Sequence, residues 1–125
     1  MKKATLKALK QSIAHWWRLA NDKARPGEVP NSDHCALCRR FMCDMVDDCE
    51  KSGELCPVKE RTEKTYCYNT PYYKAAHEWE KNEVLRNAGL PQEFENQQAE
   101  FEFLVSLLPA GESWTSPDGW EWCAK

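Results

Sequence analysis

Leu6-Lys7-Ala8-Leu9-Lys10-Gln11-Ser12-Ile13-Ala14-His15-Trp16-Trp17-Arg18-Leu19-Ala20 is the stretch that decides the architecture of this chain. Its apolar residues Leu6, Leu9, Ile13, Trp16 and Ala20 recur at spacings of 3, 4, 3 and 4, which aligns them as one stripe of an α-helix. The spacing predicts a basic amphipathic helix over about residues 3–21, within a first block of residues 1–25. Lys2, Lys3, Lys7, Lys10 and Arg18 fall mostly off the stripe. Pro26 disfavours a helical Arg25, so the helix stops before Pro26-Gly27. Trp17 lies off the stripe that Trp16 defines, so either the apolar face is wide or Trp17 meets a partner.

Beyond this helix the chain divides into three further blocks. Residues 31–70 are cysteine-rich, and part of them is expected to be helical, with Cys38, Met42, Met45, Val46 and Cys49 on one face and Ser52-Gly53 as the stop. Residues 71–108 read as a helical hairpin. Asn69 or Thr70 caps its first helix, with Tyr72, Ala76, Trp79 and Glu83-Val84 as the stripe and Gly89 as the closing residue. The second helix runs from about Pro91 to Leu108, with Phe94, Phe101, Leu104, Val105 and Leu108 inward and Pro109 as its stop. Residues 112–123 read as a β-hairpin around Ser116-Pro117-Asp118-Gly119, where proline pre-sets one turn angle and glycine tolerates the positive φ that follows. A lone hairpin is marginal in water, so this one must dock on the helices. The expected fold is mainly α: a single domain, residues 1–125, with three to four helices around a zinc-stapled loop and a C-terminal tryptophan-rich β-hairpin.

Composition bounds the function classes. At 125 residues, 42% hydrophobic and 30% charged, the chain is globular rather than disordered. It has no apolar run long enough to span a bilayer, so no membrane role is expected. The positive N-terminus lacks the apolar core of a signal peptide, because Lys7, Lys10 and Gln11 interrupt it; this places the chain in a cytosol. Net charge is uneven: +6 over residues 1–25, −3 over 26–70 and −6 over 71–125. The basic helix can meet an anionic partner or pack on the chain's own acidic helices.

Seven cysteines are many for this length, and an odd count leaves at least one outside any disulfide pairing. In a reducing compartment clustered thiols bind metal more often than they form bridges. Cys35-Ala36-Leu37-Cys38 has the spacing of a zinc knuckle, in which two thiolates reach one ion from a tight turn. Cys67 precedes a helix start, where free amides favour a thiolate, and Cys56 precedes the stiffening Pro57. The expected cofactor is one structural zinc on Cys35, Cys38, Cys56 and Cys67, with Cys49 as the substitute for Cys56. His34 is a weaker ligand candidate, Cys43 and Cys49 also suit small buried hydrophobes, and Cys123 stands apart. Residues 21–70 carry little periodic apolar sequence, so metal binding would supply part of their folding energy.

The order Trp16-Trp17, Cys35-Ala36-Leu37-Cys38, Cys56-Pro57-Val58, Cys67-Tyr68-Asn69-Thr70-Pro71-Tyr72 and Phe103-Leu104-Val105-Ser106-Leu107-Leu108-Pro109 resembles small, mostly uncharacterised proteins of tailed bacteriophages. The likeness spans roughly residues 13–110. Here Glu50 to Leu55 separate Cys49 from Cys56-Pro57, where the family pattern is tighter. The resemblance implies a zinc-stapled fold and a phage accessory product made in the cytosol of a bacterial host. Such products commonly act on host systems, defence among them.

No phosphate-binding glycine loop, zinc-protease helix or nucleophile elbow is present, and the three histidines are scattered. Zinc deaminase and thiol-oxidoreductase patterns also fail, so a non-catalytic binding protein is expected. Three roles fit. The first is binding and modulating or inhibiting a host protein, through Trp17, Trp120 and Trp122 with Lys3, Lys7, Lys10, Arg39 and Arg40, since surplus Trp, Tyr and Arg marks hot spots. Trp120 and Trp122 fall on one side of their strand and Glu121 on the other. The acidic run Glu78, Glu80, Glu83, Glu93, Glu95, Glu100 and Glu102 could also imitate nucleic acid toward a basic partner. The second is nucleic-acid binding by the basic helix and the knuckle, with Tyr66, Tyr68, Tyr72 and Tyr73 available for stacking. The third is sequestering of a small molecule such as a nucleotide. Oligomeric state is left open.

Overall fold

A computed structural model describes residues 1–30, 36–37, 56–62 and 70–124. It contains helix α1 (Lys3–Ala20), α2 (Pro57–Thr62), α3 (Tyr72–Asn87) and α4 (Glu95–Val105), followed by strands β1 (Ser113–Thr115) and β2 (Glu121–Cys123). The molecule is mainly helical with a small antiparallel hairpin at the C-terminal end. Among the described residues no helix is long and apolar enough to cross a membrane. The expected helical stretch around Met42 and Met45 lies outside the described residues; Ala36 and Leu37 are helical and buried.

Helix α1 is the centre of the core. Leu9, Ile13 and Trp16 are wholly buried, and so are the small polar Thr5 and Ser12. Trp17 is buried as well, so its expected role on a partner surface is corrected. The physical reason is that the apolar face is wide. Helix α4 covers one side of α1, and the hairpin covers another by setting Trp114 6.3 Å from Trp17. Lys23 closes the outer edge, its Nζ 5.2 Å from the Trp17 ring. On a further side, the Leu37 N–H donates to Ser12 Oγ at 3.2 Å. The helix ends at Asn21, whose side chain donates to the Trp17 carbonyl, ahead of the Pro26 stop expected from the sequence.

Helices α3 and α4 are antiparallel neighbours, but the seam between them is polar. Helix α3 buries Ala75, Glu78 and Asn82, whereas Val84 is exposed and Ala76 and Trp79 are only half-buried. This corrects the expected apolar stripe. Glu78 explains it: α4 begins at Glu95 after Phe94, which offers no capping side chain. The Glu78 carboxylate of α3 supplies the cap instead. Oε2 accepts the Asn96 N–H at 3.0 Å and Oε1 the Gln97 N–H at 2.9 Å, the two donors a helix's own N-cap would satisfy. Its charge also sits at the positive end of α4. Asn82 adds a second pin, accepting the Glu93 N–H at 2.7 Å and donating to the Glu93 carbonyl at 2.6 Å. That pin holds residues 92–94 out of the helix, so α4 starts four residues after Pro91.

The start and the stop of α3 follow expectation. Thr70 Oγ1 accepts the Tyr72 N–H at 3.1 Å. Gly89 closes α3 at φ +72°, with bonds from Gly89 N–H to Arg86 O and from Leu90 N–H to Leu85 O. Phe101, Leu104, Val105 and Leu108 are buried as the spacing predicts.

The β-hairpin pairs Trp114 with Trp122 across the strands. Phe101 of α4 receives both rings edge-on, at 5.8 Å from Trp114 and 4.9 Å from Trp122. The 116–119 turn forms as expected, with Gly119 at φ +88° and its N–H donating to the Ser116 carbonyl at 2.9 Å.

Replacing Glu78 with Ala leaves the Asn96 and Gln97 amides without their acceptor and is expected to cost about 2–3 kcal/mol. Glu83→Ala, on the exposed face of α3, is expected to change stability by less than about 0.5 kcal/mol. Urea denaturation of the two variants checks the difference; equal midpoints would contradict the cap.

Candidate functional site

Three of the expected partner-binding residues share one groove. Lys3, Lys7 and Lys10 lie at i, i+4 and i+7 of α1, so their side chains leave the same face. Together with Leu6, Ala14 and Trp114 they line a cleft of about 450 Å³. Its floor is apolar and its rim is basic. Trp114 arrives from β1, far along the chain, because Phe101 and Trp17 hold it against α1. Lys3 and Lys7 are exposed. Lys10 pairs with Glu112 at 3.1 Å, both side chains about a third exposed. The first turn of α1 carries no acidic residue, and Lys2 at its N-cap makes no capping hydrogen bond. Within that turn the lysines add to the positive end of the helix dipole. The arrangement suits an anionic group that also brings apolar surface.

The remaining partner-binding candidates separate. Trp120 is 66% exposed at the hairpin turn, where its N–H is held by Ser116 Oγ, and it precedes β2. Trp122 is half-buried and packs on Phe101, which corrects the expectation that Trp120 and Trp122 present one common surface. Arg39 and Arg40 lie outside the described residues, as do Tyr66 and Tyr68. Of the acidic run, Glu78 and Glu100 are buried, so they do not contribute to an acidic outer face.

Of the expected zinc ligands, Cys35, Cys38 and Cys67 lie outside the described residues, as do the substitute Cys49, Cys43 and His34. Cys56 is described: a buried thiol just before α2, whose carbonyl accepts the Glu60 N–H at 2.9 Å. Ala36 and Leu37, the two residues between Cys35 and Cys38, belong to the same apolar cluster as Cys56 and Val58. A buried thiol in that cluster is compatible with a structural zinc. Cys123 is exposed at the end of β2.

A buried ionic lock escaped the reading of the sequence. Glu28 is 8% exposed and lies beside His15, with its Oε2 2.5 Å from His15 Nδ1. Arg18 donates to both Glu28 oxygens, Nη2 at 2.7 Å from Oε2 and Nε at 3.0 Å from Oε1, while the Arg25 N–H donates to Oε1 at 2.9 Å. Burial opposes the charge, but the Arg18 guanidinium, the Arg25 amide and His15 outweigh it and hold the Glu28 carboxyl at about 2. The lock ties the 21–30 loop back onto α1. Its only signal in the sequence is a single carboxylate just after the Pro26-Gly27 turn, at the end of a strongly basic block.

No protein family, curated protein or solved structure matches this chain.

Two measurements follow from these sites. A carboxyl held at about 2, against an ordinary 4.5, contributes stability in full above pH 4.5 and loses it as pH falls toward 2. Glu28→Gln is therefore expected to be about 2 kcal/mol less stable than the native chain at pH 7, with the gap closing in acid. A gap independent of pH would contradict the charged lock. Elemental analysis of chain purified without chelator is expected to give one zinc per molecule, with Cys56→Ser lowering both zinc content and thermal midpoint. A metal-free chain with an unchanged midpoint would contradict the staple.

Proposed function

We propose that this chain is a non-catalytic binding module in which one zinc ion, held by Cys35, Cys38, Cys56 and Cys67, staples residues 31–70, and in which the α1 groove takes an acidic, amphipathic segment of another protein. The observation that carries it is the meeting of Lys3, Lys7 and Lys10 with Leu6, Ala14 and Trp114 in one cleft. An apolar floor with a cationic rim matches a segment that offers leucine or phenylalanine along one side and carboxylates along its flanks. The motif resemblance to phage accessory proteins makes that partner a bacterial host protein, with defence components among the candidates. Binding there would modulate or inhibit the host protein by occupying its acidic segment.

Nucleic-acid binding is the second reading, and the lack of an acidic residue in the first turn of α1 favours it. The apolar floor of the groove favours a protein segment over a phosphate backbone, which would need polar donors along its track.

Fluorescence anisotropy separates the two. A labelled peptide with an apolar helical face and acidic flanks is expected to bind, and Lys3→Glu/Lys7→Glu to weaken it about tenfold or more. The same variant is expected to keep or raise the thermal midpoint, because glutamates suit the start of α1. Peptide affinity unchanged by the charge reversal would overturn the groove. Tighter binding of a DNA duplex, falling steeply with salt, would favour the second reading.

A further inference from the structure

Helix α1 is buried on every side but one. From Thr5 to Ala20 the residues that keep some exposure are Leu6, Lys7, Lys10, Gln11, Ala14 and Arg18. Lys3, Lys7, Gln11, Ala14 and Arg18 follow one another at spacings of 4, 4, 3 and 4, so the open stripe keeps to one side of the helix. From Lys3 to Arg18 it runs roughly 22 Å at the rise of an α-helix. The lysine groove occupies the first part of it. The rest borders another cavity, of about 480 Å³, which Arg18 enters from α1 and Arg25, Gly27 and Glu28 from the loop that follows. Gln11 and Ala14 line both cavities, so the two adjoin.

The second cavity keeps one uncommitted cation. Its carboxylate, Glu28, is already taken by Arg18, through Nη2 at 2.7 Å and Nε at 3.0 Å. Glu28 also fixes the backbone of Arg25. Its carboxylate accepts the Arg25 N–H at 2.9 Å, and its own N–H donates to the Arg25 carbonyl at 2.9 Å. Arg25-Pro26-Gly27-Glu28 is thereby closed as a turn, with Gly27 at φ +79°. The Arg25 side chain is exposed and makes no ion pair among the described residues. In the first cavity Glu112 meets Lys10, and α1 itself contains no acidic residue. Lys3 and Lys7 at one end and Arg25 at the other are therefore cations without a carboxylate among the described residues, with the apolar Leu6, Trp114 and Ala14 between them.

The charge pattern selects the occupant. A segment that covers the stripe needs carboxylates at both ends and an apolar middle. An extended strand would set backbone N–H and C=O groups against Leu6 and Trp114 without partners, whereas a helix satisfies its own. The small side chain of Ala14 at the junction lets a second helix approach α1 closely. We infer that the acidic segment is a helix of about four turns lying along the whole stripe, one acidic end at Lys3 and Lys7 and the other in the second cavity at Arg25. This rests on the groove reading above and adds a second subsite to it. Glu28 prepares that subsite by neutralising Arg18 and holding the Arg25 backbone in place.

Fluorescence anisotropy of the full chain with two labelled peptides tests this. One is a four-turn helical peptide with an apolar face and glutamates at both ends; the other has glutamines in place of the glutamates at one end. The first is expected to bind about fivefold tighter or more. Arg25→Ala is expected to bring the first down to the affinity of the second and to leave the second unchanged. Its thermal midpoint is expected to match the native chain's, because the turn uses only the Arg25 backbone. Arg25→Glu is expected to weaken the first peptide further. The inference is overturned if the two peptides bind equally, or if Arg25→Ala weakens both by the same factor. It is also overturned if Arg25→Ala weakens a DNA duplex and leaves both peptides unmoved. Where both peptides bind equally and both lose affinity on Lys3→Glu/Lys7→Glu, the lysine groove stands and the second subsite falls. Where neither peptide binds, both fall.

Discussion

The Glu78 carboxylate is buried at the start of a helix to which it does not belong, and the positions of the other elements follow from it. By accepting the Asn96 and Gln97 amides it fixes where α4 begins and how α4 lies against α3. Helix α4 then presents Phe101 to both hairpin tryptophans. The hairpin, so docked, lays Trp114 beside Trp17 and along the lysine face of α1. The same carboxylate also accepts from the Gln97 side-chain amide. A single charged group thus links the helical seam, the tryptophan hairpin and the α1 groove. The arrangement is stable because the charge is met by four donors at the positive end of a helix, two backbone and two side-chain.

Much of this was legible in the sequence where burial is apolar. Helix α1 announces itself through Leu9, Ile13 and Trp16, and the turn at Ser116-Pro117-Asp118-Gly119 through residues with fixed conformational demands. What stayed hidden shares a physical cause. Glu78, Asn82 and Glu28 are buried because their polar atoms are satisfied by backbone amides or a guanidinium, and hydropathy periodicity carries no trace of such pairing. Trp17 shows the converse limit. A stripe drawn from one period assumes one covering neighbour, whereas α1 is covered on several sides.

The candidate groove was half legible. The repeat of Lys3, Lys7 and Lys10 reveals a basic face, since that spacing returns to one side of a helix. Trp114 could not be assigned to it, because the contact depends on how the hairpin docks, a long-range event. The proposed zinc staple rests on the spacing of Cys35 and Cys38 and on Cys56, which is buried in the same apolar cluster as Ala36 and Leu37. It would supply, through metal binding, the folding energy that the apolar-poor stretch 21–70 lacks.

The most direct measurement of the central claim is native-state hydrogen exchange on Glu78→Gln. If Glu78 fixes α4 and, through Phe101, the hairpin, the Asn96 and Gln97 amides and the Ser116 amide bonded to Trp120 accelerate together, by about tenfold for each 1.4 kcal/mol lost. The interior amides of α1, such as Ile13 and Trp16, keep their protection. Acceleration at Asn96 and Gln97 with the hairpin unchanged would show that the hairpin docks independently of the carboxylate and would contradict the account.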